Sequence, residues 1–173
     1  PLVSREHRLE VAERIDRDGN VVTALDADAV RKAARELEAA GCEAIAVCFL
    51  NSYRNPAHEQ EAGRIIRETC PELTVSLSSE VVAEIWEYQR FVTTAANAYV
   101  QPLMRRYLQR LERELAARSF TGSLTLMHSA GGLVSPETAR TFPIRLLESG
   151  PAGGGLATAL FGELAGHKDV ISF

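Results

Sequence analysis

The chain has 173 residues, 46% of them hydrophobic and 24% charged, with a formal net charge of −4. That length fits one domain or two small ones with a sizeable core, and the mild acidity argues against nucleic acid or an anionic membrane as partner. No apolar run reaches the roughly 18 residues of a membrane span. Cys42, Cys48 and Cys70 have no metal-ligand spacing. They read as reduced thiols of a cytoplasmic protein, and no metal site is expected. The chain opens without Met or a signal peptide, and it stops at "DVISF", where a strand is just beginning. Both features suggest a piece of a longer polypeptide.

In chain order, His7–Ile15 alternates loosely, Asp18-Gly19-Asn20 is a turn signal, and Val21–Leu25 is apolar again. That pattern predicts a hairpin. Asp26 can cap a helix over 27–40, which Gly41 would close. "EAIAVCFL" is apolar nearly throughout, as a strand buried on both faces should be. Asn55-Pro56 starts a second helix, with Asn as N-cap and Pro at the first helical position. "LTVSL" is the next strand, so strand, helix and strand form a parallel βαβ unit.

From Ser79, read as an N-cap, helical spacing places Ile85, Tyr88, Val92, Ala95, Tyr99 and Leu103 on one apolar face, and continues through Leu115. Pro102 kinks this element or starts a second helix in near-continuous succession. The element is about 50 Å long at 1.5 Å per residue, enough to run between two lobes. "LTLMHS" is then a strand ending in Ala130-Gly131-Gly132. Ser135-Pro136 opens a short helix, Pro143 stops it, and a glycine cluster precedes the last helix, with "DVISF" as a strand parallel to "LTLMHS". The expected architecture is α/β. It comprises 1–80 as a first α/β part, 81–118 as a helical connector and 119–173 as the start of a second α/β part.

Four segments hold residues with possible chemistry. "ESGPAGGG", 148–155, crowds four glycines and a proline into a helix start. It could receive an anion on free N–H groups, or it could let the helix pack closely. Its spacing is neither a Walker A loop nor G-x-G-x-x-G. "HSAGG", 128–132, lies at a strand's C-terminal end, where ligands gather in open α/β sheets, although two glycines equally make a tight turn. His128 there is read as hydrogen-bonded structure. "NSYRNPAHE", 51–59, is read as a capped loop; a metal pair is not expected from it, because His58 and Glu59 are adjacent on a helix and cannot share one face well. In "SSEVVAEIWEYQR", 78–90, a surface ion pair from Glu87 to Arg90 is the plain reading. Carboxylates near a cleft, able to do acid/base chemistry, are the alternative.

Taken together, "VAERIDRDGNVV", "FLNSYRNPAHEQ", "SSEVVAEIWEYQR", "NAYVQPLMRRYL", "MHSAGG" and "LESGPAGG" resemble, in order and approximate spacing, the hydantoinase A / 5-oxoprolinase family. The resemblance covers almost the whole chain. Ala83 stands where the family often has Pro, and Gln89 where it often has Glu.

The resemblance implies an ATP-dependent enzyme that opens cyclic amides such as hydantoins and 5-oxoproline, with ATP activating the amide oxygen by phosphorylation. It implies a two-lobed fold of the actin, sugar-kinase and Hsp70 type (ribonuclease H-like) around a nucleotide cleft. ATP and Mg would bind the full-length protein, and a hydantoinase B-like partner subunit or domain would assist it. Related subunits belong to acetone and acetophenone carboxylases, so a carboxylase subunit is the alternative, and a non-catalytic actin-like binding module a further one. The family's two phosphate loops, Asp-x-Gly-Gly-Thr and Asp-Met-Gly-Gly-Thr, are both absent from this sequence. The chain therefore resembles a central piece, expected to be inactive alone and to hold no tightly bound cofactor. Within it, Ser129, Gly131, Gly132, Ser149, Gly150, Gly153 and Gly154 are the expected nucleotide-side residues. No catalytic residue is assigned.

Overall fold

The computed structural model describes residues 2–172. The chain divides into two compact units, Pro1–Pro102 and Leu103–Phe173.

In the first unit, β1 (Arg14–Ile15) and β2 (Val21–Thr23) form the expected antiparallel hairpin, shorter than the alternation suggested. Its turn is fixed by Asp16, whose carboxylate accepts the N–H groups of Asp18 and Asn20 at 2.9 and 2.8 Å. Helix α1 (Ala27–Ala39) starts where Asp26 accepts the N–H groups of Asp28 and Ala29. After it, Gly41 takes φ +82°. Strand β3 (Ala44–Val47), helix α2 (Ala57–Thr69) and strand β4 (Thr74–Leu77) follow, and β3 pairs with β4 in parallel, Ala44 opposite Thr74 through Val47 opposite Leu77. This is the βαβ unit that the apolar runs predict. Its core joins Val30 and Ala34 of α1, Ile45 and Val47 of β3, Ala62, Ile65 and Ile66 of α2, and Val75 and Leu77 of β4. Each fully buried Val, Leu or Ile contributes about 1.5–3 kcal/mol relative to exposure.

The stretch after β4 departs from the expected continuous helix. Ser78–Val81 makes only one turn, α3, with Leu77 and not Ser79 at its N-cap. Val82 is extended, and the long helix α4 runs over Glu87–Ala117 with Pro102 inside it. Two bonds hold the segments on either side of the break. The Ser79 N–H is taken by the Glu59 carboxylate at 2.8 Å, and the Glu84 carbonyl accepts from Arg90 at 2.7 Å. The hydroxyl of Ser79 caps nothing and has no hydrogen-bond partner.

The burial of α4 also reverses the expected face. Tyr88, Val92, Tyr99 and Leu103 are exposed, whereas Arg90, Thr94, Asn97 and Gln101 are buried. A stripe of polar residues at i, i+4, i+7 and i+11 thus faces inward.

In the second unit, β5 (Leu126–Met127) and β6 (Leu133–Val134) form a small antiparallel hairpin. Only two residues of "LTLMHS" are therefore strand, and β6 has no counterpart in the sequence reading. Helix α5 (Pro136–Thr141) begins where the Ser135 hydroxyl accepts the Thr138 N–H, with Pro136 early in the helix, as the sequence suggests. Arg140 ties α5 to the C-terminal half of α4 through Glu112. A 3-10 turn, Pro143–Leu146, leads to α6 (Ser149–Leu164). The glycines do not precede this helix; they form its first turns. Residues 170–172 of "DVISF" are not a strand, and Phe173 lies outside the described residues. No described segment pairs in parallel with β5, which turns back directly into β6, its antiparallel partner.

Candidate functional site

Two places hold the chemistry-bearing residues, one in each unit. In the first unit they gather at the C-terminal ends of the parallel strands β3 and β4, the edge where ligands collect in open α/β sheets. Glu59, in the first turn of α2, is fully buried. Its Oε1 accepts the Phe49 N–H at 2.8 Å and the Ser78 hydroxyl at 2.6 Å, and its Oε2 accepts the Ser79 N–H. One carboxylate therefore holds the segments that leave both strands.

Arg90 reaches the same place from α4 and is equally buried. Its Nε donates to Ser78 Oγ at 3.2 Å, Nη1 to the Glu84 carbonyl and Nη2 to the Phe49 carbonyl at 2.9 Å. The guanidinium carbon also lies 5.5 Å from the Tyr53 ring centre and 5.2 Å from that of Phe91, within cation–π range. The expected surface pair with Glu87 is overturned, because Arg90 turns inward to satisfy carbonyls that the loop geometry leaves open. Further along the helix, Asn97 donates to Ser76 Oγ at 3.0 Å, and Ser76 donates to Gln101 at 3.0 Å. Cys48 borders this cluster. Burial, and then the negative charge of Glu59, push its thiol up to about 12, so it stays protonated and unreactive.

The polar segment 51–59 serves the fold, as a capped loop should. Asn51 and Asn55 donate to the carbonyls of Ile15 and Gly19, each at 2.8 Å, and His58 Nδ1 meets Glu13 Oε2 at 2.7 Å. These bonds fasten the β1–β2 hairpin. His58 and Glu59 serve different partners, in accord with their adjacency on the helix.

In the second unit, "HSAGG" is the tight turn between β5 and β6. The His128 N–H donates to the Gly132 carbonyl at 2.7 Å, and the Gly131 N–H returns to His128 at 2.9 Å, with Gly131 at φ +83°. His128 Nδ1 accepts the Ala130 N–H at 2.9 Å, so the imidazole is part of the turn. The Ser129 N–H donates to the Arg145 carbonyl at 2.8 Å.

Helix α6 rests on this hairpin. A Cβ at Gly153 would lie 3.6 Å from Met127 Cγ, and one at Gly131 would lie 3.6 Å from Leu156 Cδ1. Gly131 and Gly153 are thus at contacts between helix and hairpin. Gly132, Gly150, Gly154 and Gly155 face open space, where a Cβ would have nothing within 4 Å. The first turn of α6 carries no acid, and Glu148 before it is left-handed, at φ 63°, with no side-chain cap bond. Open glycines at an uncapped helix start suit the approach of an anion.

Among the described residues no three His, Cys, Asp or Glu side chains could together hold a metal ion. No helix among them is long and apolar enough to cross a membrane. Cys42, Cys48 and Cys70 are free thiols.

The hub of Glu59, Ser78 and Arg90 was missed from sequence. The signal that could have found it is the helical spacing of Arg90, Thr94, Asn97 and Gln101.

A βαβ unit followed by a long helix and a glycine-led helix on a hairpin defines a mixed α/β protein. Residues 1–70 match the hydantoinase/oxoprolinase N-terminal region, and residues 90–173 match the hydantoinase/oxoprolinase family. The chain belongs to the hydantoinase/oxoprolinase family. It is 36% identical to the acetophenone carboxylase gamma subunit of Aromatoleum aromaticum, over 99% of this chain and 24% of that protein. It is 34% identical to the caprolactamase subunit alpha of Pseudomonas jessenii, over 99% of this chain and 25% of that protein. The crystal structure of ATP-dependent caprolactamase from that organism superposes with a TM-score of 0.82 at 33% identity, over 91% of this chain and 23% of the other. The chain thus spans about a quarter of the length of these relatives.

Proposed function

We propose that the chain is part of a subunit that opens a cyclic amide at the expense of ATP. The observation that carries this reading is the likeness to caprolactamase subunit alpha along nearly the whole chain, together with the match of backbone. The 36% identity to an acetophenone carboxylase subunit favours a second reading, an ATP-dependent carboxylase subunit.

In either case the complete subunit would have the two-lobed actin-like fold, work in the cytoplasm, and act beside a hydantoinase B-like partner. Two observations support the last two points: the thiols are free, and both relatives are named as subunits. ATP with Mg would supply phosphoryl activation of the substrate oxygen. On this chain, Ser149, Gly150 and Gly154 would line the approach to phosphate, with the N–H groups of the first turn of α6 as donors. Gly153 and Gly131 would hold that helix against the hairpin, and Ser129 and Gly132 would form its outer edge.

The test uses the full-length subunit, purified with its partner. Hydantoin, 5-oxoproline, caprolactam, acetone and acetophenone are offered with ATP, the ketones also with bicarbonate. ATP-dependent ring opening is the expected result. Carboxylation of a ketone without ring opening would select the second reading, and no ATP-dependent turnover on any of them would refute both.

A further inference from the structure

The apolar face of α4 is exposed in a way that an ordinary solvated helix is not. Tyr88 is 77% exposed, Val92 46% and Tyr99 71%, and Trp86 just before the helix is 66% exposed. Tyr88, Val92, Ala95 and Tyr99 fall at the alternating four-three spacing of a seam that receives another helix. The opposite face is already committed, through Arg90, Thr94, Asn97 and Gln101, to the strand edge beneath it.

Charge separates the kinds of occupant. From Tyr88 to Met104 the sequence contains one charged residue, Arg90, and it is buried. From Arg105 to Arg118 it contains seven. A surface that meets a transient partner keeps a charged, polar rim, whereas a permanent interface resembles a domain core cut in half. The uncharged stretch therefore fits permanent cover. The chain spans about a quarter of its relatives' length, so three quarters of such a subunit lies outside it.

We propose that the face of Tyr88, Val92 and Tyr99 is an internal interface, covered by a helix of the same subunit from sequence outside these 173 residues. The inference rests on family membership and not on the reaction.

The test compares the double variant Val92→Glu/Tyr99→Glu in two settings, the 173-residue chain and the full-length subunit encoded by its gene. Thermal unfolding and sedimentation are measured in each. The variant should leave the melting temperature of the short chain unchanged and clearly lower that of the subunit. Where the double variant of the subunit fails to fold, Val92→Ala provides a milder step with the same expected contrast. Equal behaviour in both settings would overturn the proposal. So would a short chain that is dimeric as wild type and monomeric as the variant, since a second copy would then be the occupant. A gene that encodes no further polypeptide would overturn it too.

Discussion

Glu59 and Arg90 meet on a single hydroxyl, that of Ser78, at 2.6 Å from the carboxylate and 3.2 Å from the guanidinium. The proton inventory fixes the direction of every bond. A hydroxyl has one proton and two lone pairs, and an ionised carboxylate can only accept. The Ser78 proton therefore goes to Glu59, and its lone pairs take Arg90 and the Ser52 hydroxyl, which lies at 3.0 Å. Ser52 is then the donor in its pair.

Removing the junction should cost more than one hydrogen bond. Ser78→Ala is expected to destabilise the fold by about 1–3 kcal/mol, because buried groups lose their partners. Arg90→Met should cost about 3–5 kcal/mol, since it leaves the buried Glu59 charge without a nearby cation. Arg90→Lys should not restore stability, as one ammonium cannot reach three divergent acceptors. Urea unfolding of the single and double variants gives the coupling, which should exceed about 0.5 kcal/mol. Additive losses would mean that Ser78 does not link the two.

Cys48 makes a prediction about pH. Its thiol is raised from 9.0 to about 12 in the folded chain, by burial first and the Glu59 charge second. A raised value means that the unfolded thiol ionises first. Its contribution to stability is complete below about pH 9 and is lost as pH rises toward about 12. Cys48→Ala should therefore flatten the alkaline limb of a stability–pH curve. At pH 8 a thiol reagent followed by mass spectrometry should leave Cys48 unmodified in the native chain and modify it in urea. Fast native labelling would contradict the burial.

The glycines of the two helices should answer substitution oppositely. A Cβ at Gly63 would sit 3.0 Å from Leu77 Cδ2 and 3.2 Å from Arg67 Nη1, so α2 lies against β4 without room for a side chain. Gly63→Val should destabilise by about 1–3 kcal/mol. Gly154→Ala and Gly155→Ala meet open space within α6 and should each stabilise by about 0.4–1 kcal/mol. In the full-length subunit the Gly154 variant separates the roles of that residue. Weaker ATP binding with raised melting temperature supports a ligand-facing helix start, and unchanged binding argues against it.

The isolated chain should turn over no ATP. Neither Asp-x-Gly-Gly-Thr nor Asp-Met-Gly-Gly-Thr, the phosphate loops that the family resemblance implies, occurs in its 173 residues. Phosphate release is measured on the purified chain. Turnover that co-purifies with the chain and disappears on Gly150→Asp would refute the expectation.

What the sequence determined by itself is local. The Asp26 cap, the Asp-Gly-Asn turn, the apolar runs of β3 and β4 and the Ser135-Pro136 helix start are each specified by neighbours a few residues apart, and each is seen in the structure. Segments in a shared order were enough for the family. The faces of α4 were decided only by tertiary structure. Apolar spacing marks which side of a helix avoids water, but not which covering element lies within these residues. Here the polar side is the buried one, because strand β4 and the segments that follow β3 and β4 present the Phe49 and Glu84 carbonyls and the Ser76 and Ser78 hydroxyls that need partners. The start of α3 was likewise settled at long range, by Glu59 taking the N–H of Ser79 twenty residues away. Residues 170–172 have strand-like side chains yet form no strand, since a strand exists only where its backbone groups find a partner strand, and none of the described segments pairs with them.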